Sequence, residues 1–125
     1  MPAANLLDDA AGDLFGTTTS GGAYGDGTVF EIKAGTGNVT TLANFDGSNG
    51  ADSYGALSAD AAGDLFGTTA SGGAKGDGTV FEIWAGSGSI TTLVNFDGDN
   101  GASPRSGLLI DAAGNIFGTT LSGGA

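Results

Sequence analysis

The sequence predicts an all-β protein made of β-propeller-type blades, each of four antiparallel strands, with a 51-residue repeat and about 2.5 blades in the chain. Three observations lead there. Leu14-Phe15-Gly16-Thr17-Thr18 returns as Leu65-Phe66-Gly67-Thr68-Thr69 and again as Ile116-Phe117-Gly118-Thr119-Thr120, offset by 51 each time with no insertion. Residues 14–51 and 65–102 differ at only eight positions: Thr19/Ala70, Tyr24/Lys75, Lys33/Trp84, Thr36/Ser87, Asn38/Ser89, Val39/Ile90, Ala43/Val94 and Ser48/Asp99. Finally, the repeat consists of short runs rich in β-branched and aromatic residues, and no window sustains the 3.6-residue apolar period of a helix. Four short strands joined by hairpin-sized links are the make-up of a propeller blade.

Each element has a local reason. Leu108-Leu109-Ile110 is a short apolar run that Asp111-Ala112-Ala113-Gly114-Asn115 ends with turn residues. Ile116 to Thr120 then returns as the second half of a hairpin. The glycine-rich segment 71–78 forms a loop, and Thr79-Val80-Phe81-Glu82-Ile83-Trp84 forms a third strand. Ala85-Gly86-Ser87-Gly88-Ser89 turns the chain into a fourth strand over 90–96, and 97–103 is a polar connection to the next unit. The Asp-Ala-Ala-Gly segments are too short to propagate as helices. The chain is one repeat domain, with repeat 1 at 1–51, repeat 2 at 52–102 and 23 residues of a third at 103–125. Leu6, Leu57 and Leu108 are expected on inner strands, and Phe30 and Phe81 between blades.

Composition narrows the chemistry. With no cysteine there is no disulfide or thiolate metal site, and with no histidine the commonest general base is missing. Fourteen acidic against three basic residues give a net charge of −11, the wrong sign for nucleic acid or an anionic membrane. No apolar run approaches a membrane span, and the opening Met-Pro-Ala-Ala-Asn has no signal-peptide pattern.

Gly-Asp-Leu-Phe-Gly-Thr-Thr-x-Ser-Gly-Gly-Ala-x-Gly-Asp-Gly-Thr-Val-Phe-Glu-Ile, at 12–32 and 63–83, resembles the GloVer-type tandem repeat of bacterial proteins. Phe15, Phe66 and Phe117 stand where that pattern usually has Tyr, and the run 96–104 is similar to its inter-repeat connection. The resemblance covers essentially the whole chain. It implies a propeller-like, extracellular or cell-surface repeat protein, since members usually carry many repeats and a sorting tail. It brings no catalytic residues.

Several residues invite a functional reading. Asp97-Gly98-Asp99-Asn100-Gly101 has the alternate carboxylates of a calcium loop, but the glutamate of an EF-hand is missing at Leu108. The turn reading is preferred, with weak calcium binding left open. Asp9, Asp60 and Asp111 recur at one phase and could converge as paired carboxylates, yet their place before Ala-Ala-Gly is that of a turn-opening Asp. Trp84, Tyr24 and Tyr54 are the residues most open to ligand or assembly contacts, because aromatic faces stack on sugar rings. Trp84 aligns with Lys33, which favours a surface or chain–chain contact. The expected function is therefore a non-enzymatic structural or interaction module, with no cofactor or metal. It self-associates with copies of itself to complete a propeller or larger array, and a multivalent carbohydrate-binding propeller is the alternative.

Overall fold

The computed structural model describes residues 6–9 and 11–124; the opening segment 1–5, read above for a signal peptide, lies outside them. Among the described residues ten strands run in order β1 (Leu7–Asp8), β2 (Leu14–Thr17), β3 (Thr28–Ile32), β4 (Val39–Asn44), β5 (Ser58–Ala59), β6 (Leu65–Thr69), β7 (Thr79–Ile83), β8 (Thr91–Asn95), β9 (Leu109–Ile110) and β10 (Ile116–Phe117). They form two four-stranded antiparallel meanders, β1-β2-β3-β4 and β5-β6-β7-β8, and a two-stranded hairpin β9-β10. Among the described residues no helix is long and apolar enough to cross a membrane.

The all-β expectation holds, but the propeller does not. The sheets are three separate open ones, none closed into a barrel or propeller, and the third has two strands, so the count of about 2.5 four-stranded blades is not matched. A propeller ring takes roughly four to eight complete sheets about a common axis. Among the described residues, two sheets and a hairpin each end in outer strands instead.

Within each four-stranded sheet the local rules operate as read. The third strands, with sequence Thr-Val-Phe-Glu-Ile, are central, and β7 is almost wholly buried. Their alternation sends Val29 to one face and Phe30 to the other. The hydrophobic core lies between the two sheets, where Val29, Ala43 and Phe45 of the first meet Leu57, Leu65, Phe81 and Ile83 of the second. Phe45 and Phe81 meet edge to face with ring centroids 5.2 Å apart, a geometry that matches the positive ring edge to the negative face. Gly67 makes room for this, since a Cβ there would lie 2.6 Å from Phe81 Cζ.

Two expectations about the core need correction. Phe81 packs between the sheets, but Phe30 lies outside that core, against Gly16 and Leu6 on the other face of its sheet. Leu6, Leu57 and Leu108 stand immediately before β1, β5 and β9 rather than in them, and only Leu57 is buried.

A bulge shapes the outer surface. The β7–β8 register steps from Val80↔Val94 to Phe81↔Thr92, leaving Leu93 as the extra residue, and β3–β4 does the same around Leu42. A bulge lets successive residues serve one face. Leu42 and Ala43 both pack at the core.

The units are clipped together by backbone. Ala51 and Ser71 form an isolated antiparallel bridge, and Ala102 and Ser122 repeat it. The buried Ser53 hydroxyl donates to the Thr68 carbonyl at 2.8 Å. Asp52 and Ser103, at the equivalent point of each connection, hold φ of 57° and 53°.

Candidate functional site

The recurring aspartates are turn residues. Asp9 Oδ1 accepts the backbone N–H groups of Ala11 and Asp13, each at 2.9 Å, and Asp60 does the same for Ala62 and Asp64 at 3.0 Å. Asp111 accepts from Ala113 and Asn115 and takes a further bond from the Asn115 side-chain amide. These Asn115 bonds, the backbone one foremost, hold the Asp111 carboxyl below its ordinary value. A general acid would need the opposite shift. Asp60 and Asp111 do line one shallow hollow between neighbouring hairpin turns, whereas Asp9 lines a different cleft.

The calcium-like connection is also a turn. Asp97 Oδ1 accepts from the N–H groups of Asp99 and Asn100, and Asn100 Oδ1 accepts from that of Asp97. In the sister segment the Ser48 hydroxyl, then the Asn49 N–H, lower the pKa of Asp46. Among the described residues no group of three or more His, Cys, Asp or Glu side chains could hold a metal ion.

The aromatic candidates are not brought together. Tyr24 is exposed in the glycine-rich loop. Tyr54 sits under the Arg105 guanidinium, whose carbon is 4.8 Å from the ring centroid, so one face of the ring is taken by a cation–π contact. Trp84, 61% exposed, lines a cleft of about 520 Å³. The opposite wall carries Asp9, Glu31, Lys33 and Thr41. Lys33 Nζ lies 3.6 Å from the Glu31 carboxylate. An indole together with hydroxyl, carboxylate and ammonium groups can stack on and hydrogen-bond a polyhydroxylated ring.

A second concavity went unread in the sequence. A groove of about 380 Å³ runs between the outer face of the second sheet and the β9–β10 hairpin. It is lined by Val80, Leu93, Val94, Phe96, Leu108 and Ile116, among others. Each stands 51 residues after a core residue or its packing partner: Val29, Leu42, Ala43, Phe45, Leu57 and Leu65. The signal was present in the repeat arithmetic, but only the packed structure shows which face each residue takes.

No curated protein matches the chain. The family model for the Gloeobacter/Verrucomicrobia repeat matches residues 1–125. With the repeated Leu-Phe-Gly-Thr-Thr and Thr-Val-Phe-Glu-Ile strands each in the same place in their sheets, the chain belongs to the Gloeobacter/Verrucomicrobia repeat family.

Proposed function

We propose that this chain is a non-catalytic structural module that self-associates into an open array. The observation that carries the reading is the apolar surface at the outer side of the second sheet. Leu93 and Val94 are exposed there, although their counterparts, Leu42 and Ala43, pack at the inter-sheet core. Contiguous exposed apolar groups of this kind mark interaction surfaces, and unpaired strand edges beside them add backbone donors and acceptors. A net charge of −11 on each copy opposes close approach, so association strengthens as salt screens it. The family resemblance supports a cell-surface setting for such an array.

Sedimentation across protein concentration at low and high salt tests the reading. We expect masses above the 12.0 kDa of one chain, rising with concentration and more steeply at high salt. A folded species that stays at the single-chain mass under all conditions contradicts it.

The Trp84 cleft favours a second reading, a carbohydrate-binding module. Saturable glycan binding that is lost in Trp84→Ala would establish it, and binding unaffected by that change would remove it.

A further inference from the structure

We infer that the groove between the second sheet and the β9–β10 hairpin is the seat for strand β3 of a second copy of this chain, which enters beside β10 in place of that copy's own β1–β2 hairpin. The inference rests on the self-association reading and names the contact that would produce it.

The filled interface inside the chain is the template. There β7 lies beside β6, with Leu65 opposite Ile83, Gly67 opposite Phe81 and Thr69 opposite Thr79. Phe81 and Ile83 fill the space against Val29, Ala43 and Phe45. One repeat on, Val80, Val94 and Phe96 supply the same wall, and Leu108 and Ile116 the same flank. The free edge of β10 continues through Gly118 and Thr120, so a Thr-Val-Phe-Glu-Ile strand would set Ile against Ile116, Phe against Gly118 and Thr against Thr120. Residues 118–120 are not in a strand, whereas their counterparts in β6 are paired with β7.

Two details fit that register. A Cβ on Gly16 would collide with Phe30 Cζ, and one on Gly67 with Phe81 Cζ, each at 2.6 Å. Both glycines therefore exist under a phenylalanine ring. Gly118 has the same position and lines the groove, with only the Leu108 side chain near its missing Cβ. The second detail is polar. Thr69 Oγ1 pairs with the Thr79 hydroxyl at 2.8 Å and accepts the Thr79 N–H at 3.1 Å, while bonding the Ser71 carbonyl at 3.0 Å. Thr120 Oγ1 makes the equivalent bond to the Ser122 carbonyl at 3.1 Å.

The occupant follows from the repeat. Strand β3 carries Phe30 and Ile32 on the face of the first sheet that matches the Phe81 and Ile83 face of the second. In its own sheet β3 is paired with β2 through Leu14↔Ile32 and Gly16↔Phe30, and Thr18 pairs with Thr28 at 3.0 Å. The hairpin segments 6–18 and 108–120 differ only at Asp8/Ile110, Asp13/Asn115 and Leu14/Ile116. One hairpin can therefore replace the other on β3, which keeps a partner along that edge while its own β2 gives it up. The exchange gives β3 a hairpin with Ile110 and Asn115 where its own has Asp8 and Asp13, and it covers Leu93 and Val94. Because donor and acceptor surfaces differ, the contact is heterologous and adds copies head to tail.

The test joins cross-linking to mass. Glu31→Cys and Phe117→Cys chains are mixed under mild oxidation, because Phe15, the counterpart of Phe117, is the partner of Glu31 within the sheet. The chain has no cysteine of its own to interfere. We expect a disulfide-linked heterodimer from this pair and none from Glu82→Cys with Phe117→Cys. We also expect at least tenfold weaker association for Gly118→Val, which places a side chain where Phe30 would lie. Leu93→Glu, at an exposed bulge position, provides the same readout if the glycine variant does not fold. A wild-type protein that associates, but gives no 31–117 cross-link and is unaffected by a folded groove variant, overturns the β3 seat and leaves self-association standing. A wild-type protein that remains a folded single chain overturns both.

Discussion

Replacing Phe81 by alanine is expected to lower the unfolding free energy by about 3–5 kcal/mol, the usual result of removing a fully buried aromatic ring. Phe81 is 0% exposed and meets Phe45 edge to face across the interface between the two large sheets. The change loses apolar burial and leaves a cavity bounded by Gly67, which has no side chain to fill it. With total stabilities of roughly 5–15 kcal/mol for a domain, the variant is left near its unfolding threshold. Urea unfolding followed by circular dichroism measures the shift. An effect below about 1 kcal/mol would mean that the inter-sheet core is not the main source of stability.

Gly78→Ala is the second large effect, and its origin is the backbone. Gly78 holds φ near +100°, and a Cβ there would stand 2.3 Å from the Thr69 carbonyl oxygen and 2.8 Å from Pro104 Cδ. The neighbouring backbone is fixed, since the Gly78 N–H donates to the Gly72 carbonyl and the Phe96 N–H donates to the Gly78 carbonyl. The expected loss is about 3 kcal/mol, combining left-handed strain with a clash that a rotamer change cannot relieve. Gly76→Ala is the control: its φ is +81° but no atom lies within 4 Å of the added Cβ. It should cost about 1 kcal/mol, from strain alone. Thermal unfolding of the two variants separates strain from collision; equal losses would show that packing at Gly78 contributes nothing.

What was legible in the sequence was local. The Thr-Val-Phe-Glu-Ile strands, the glycine-rich loops and the aspartate turns each depend on neighbours a few residues away, and strand propensity and turn chemistry act at that range. The 51-residue offset carried the equivalence of β3 with β7. Closure was not legible, because it depends on how many sheets meet about an axis. The bulges at Leu42 and Leu93 were not legible either, since they shift pairing by one residue without an unusual residue to mark them. That shift places Leu93 beside Val94 in the groove, which no alternation rule predicts. For the site, Trp84 was picked out by its chemistry and does line a cleft, but Tyr54 was committed to Arg105 by a contact between two successive connections. Residues 118–120 were expected to extend the last strand, but a strand persists only where it has a partner.

Hydrogen exchange measured as a function of protein concentration distinguishes a seated β3 from an empty groove. It reports on which backbone groups gain and lose partners when copies meet. Raising the concentration should increase protection at Thr91–Asn95 and at 116–120, and decrease it at Leu14–Thr17, whose hairpin is displaced; Thr79–Ile83, already paired on both sides, should not change. Exchange that is independent of concentration throughout, or protection that rises instead around Trp84 with the groove unaffected, would rule out the β3 seat.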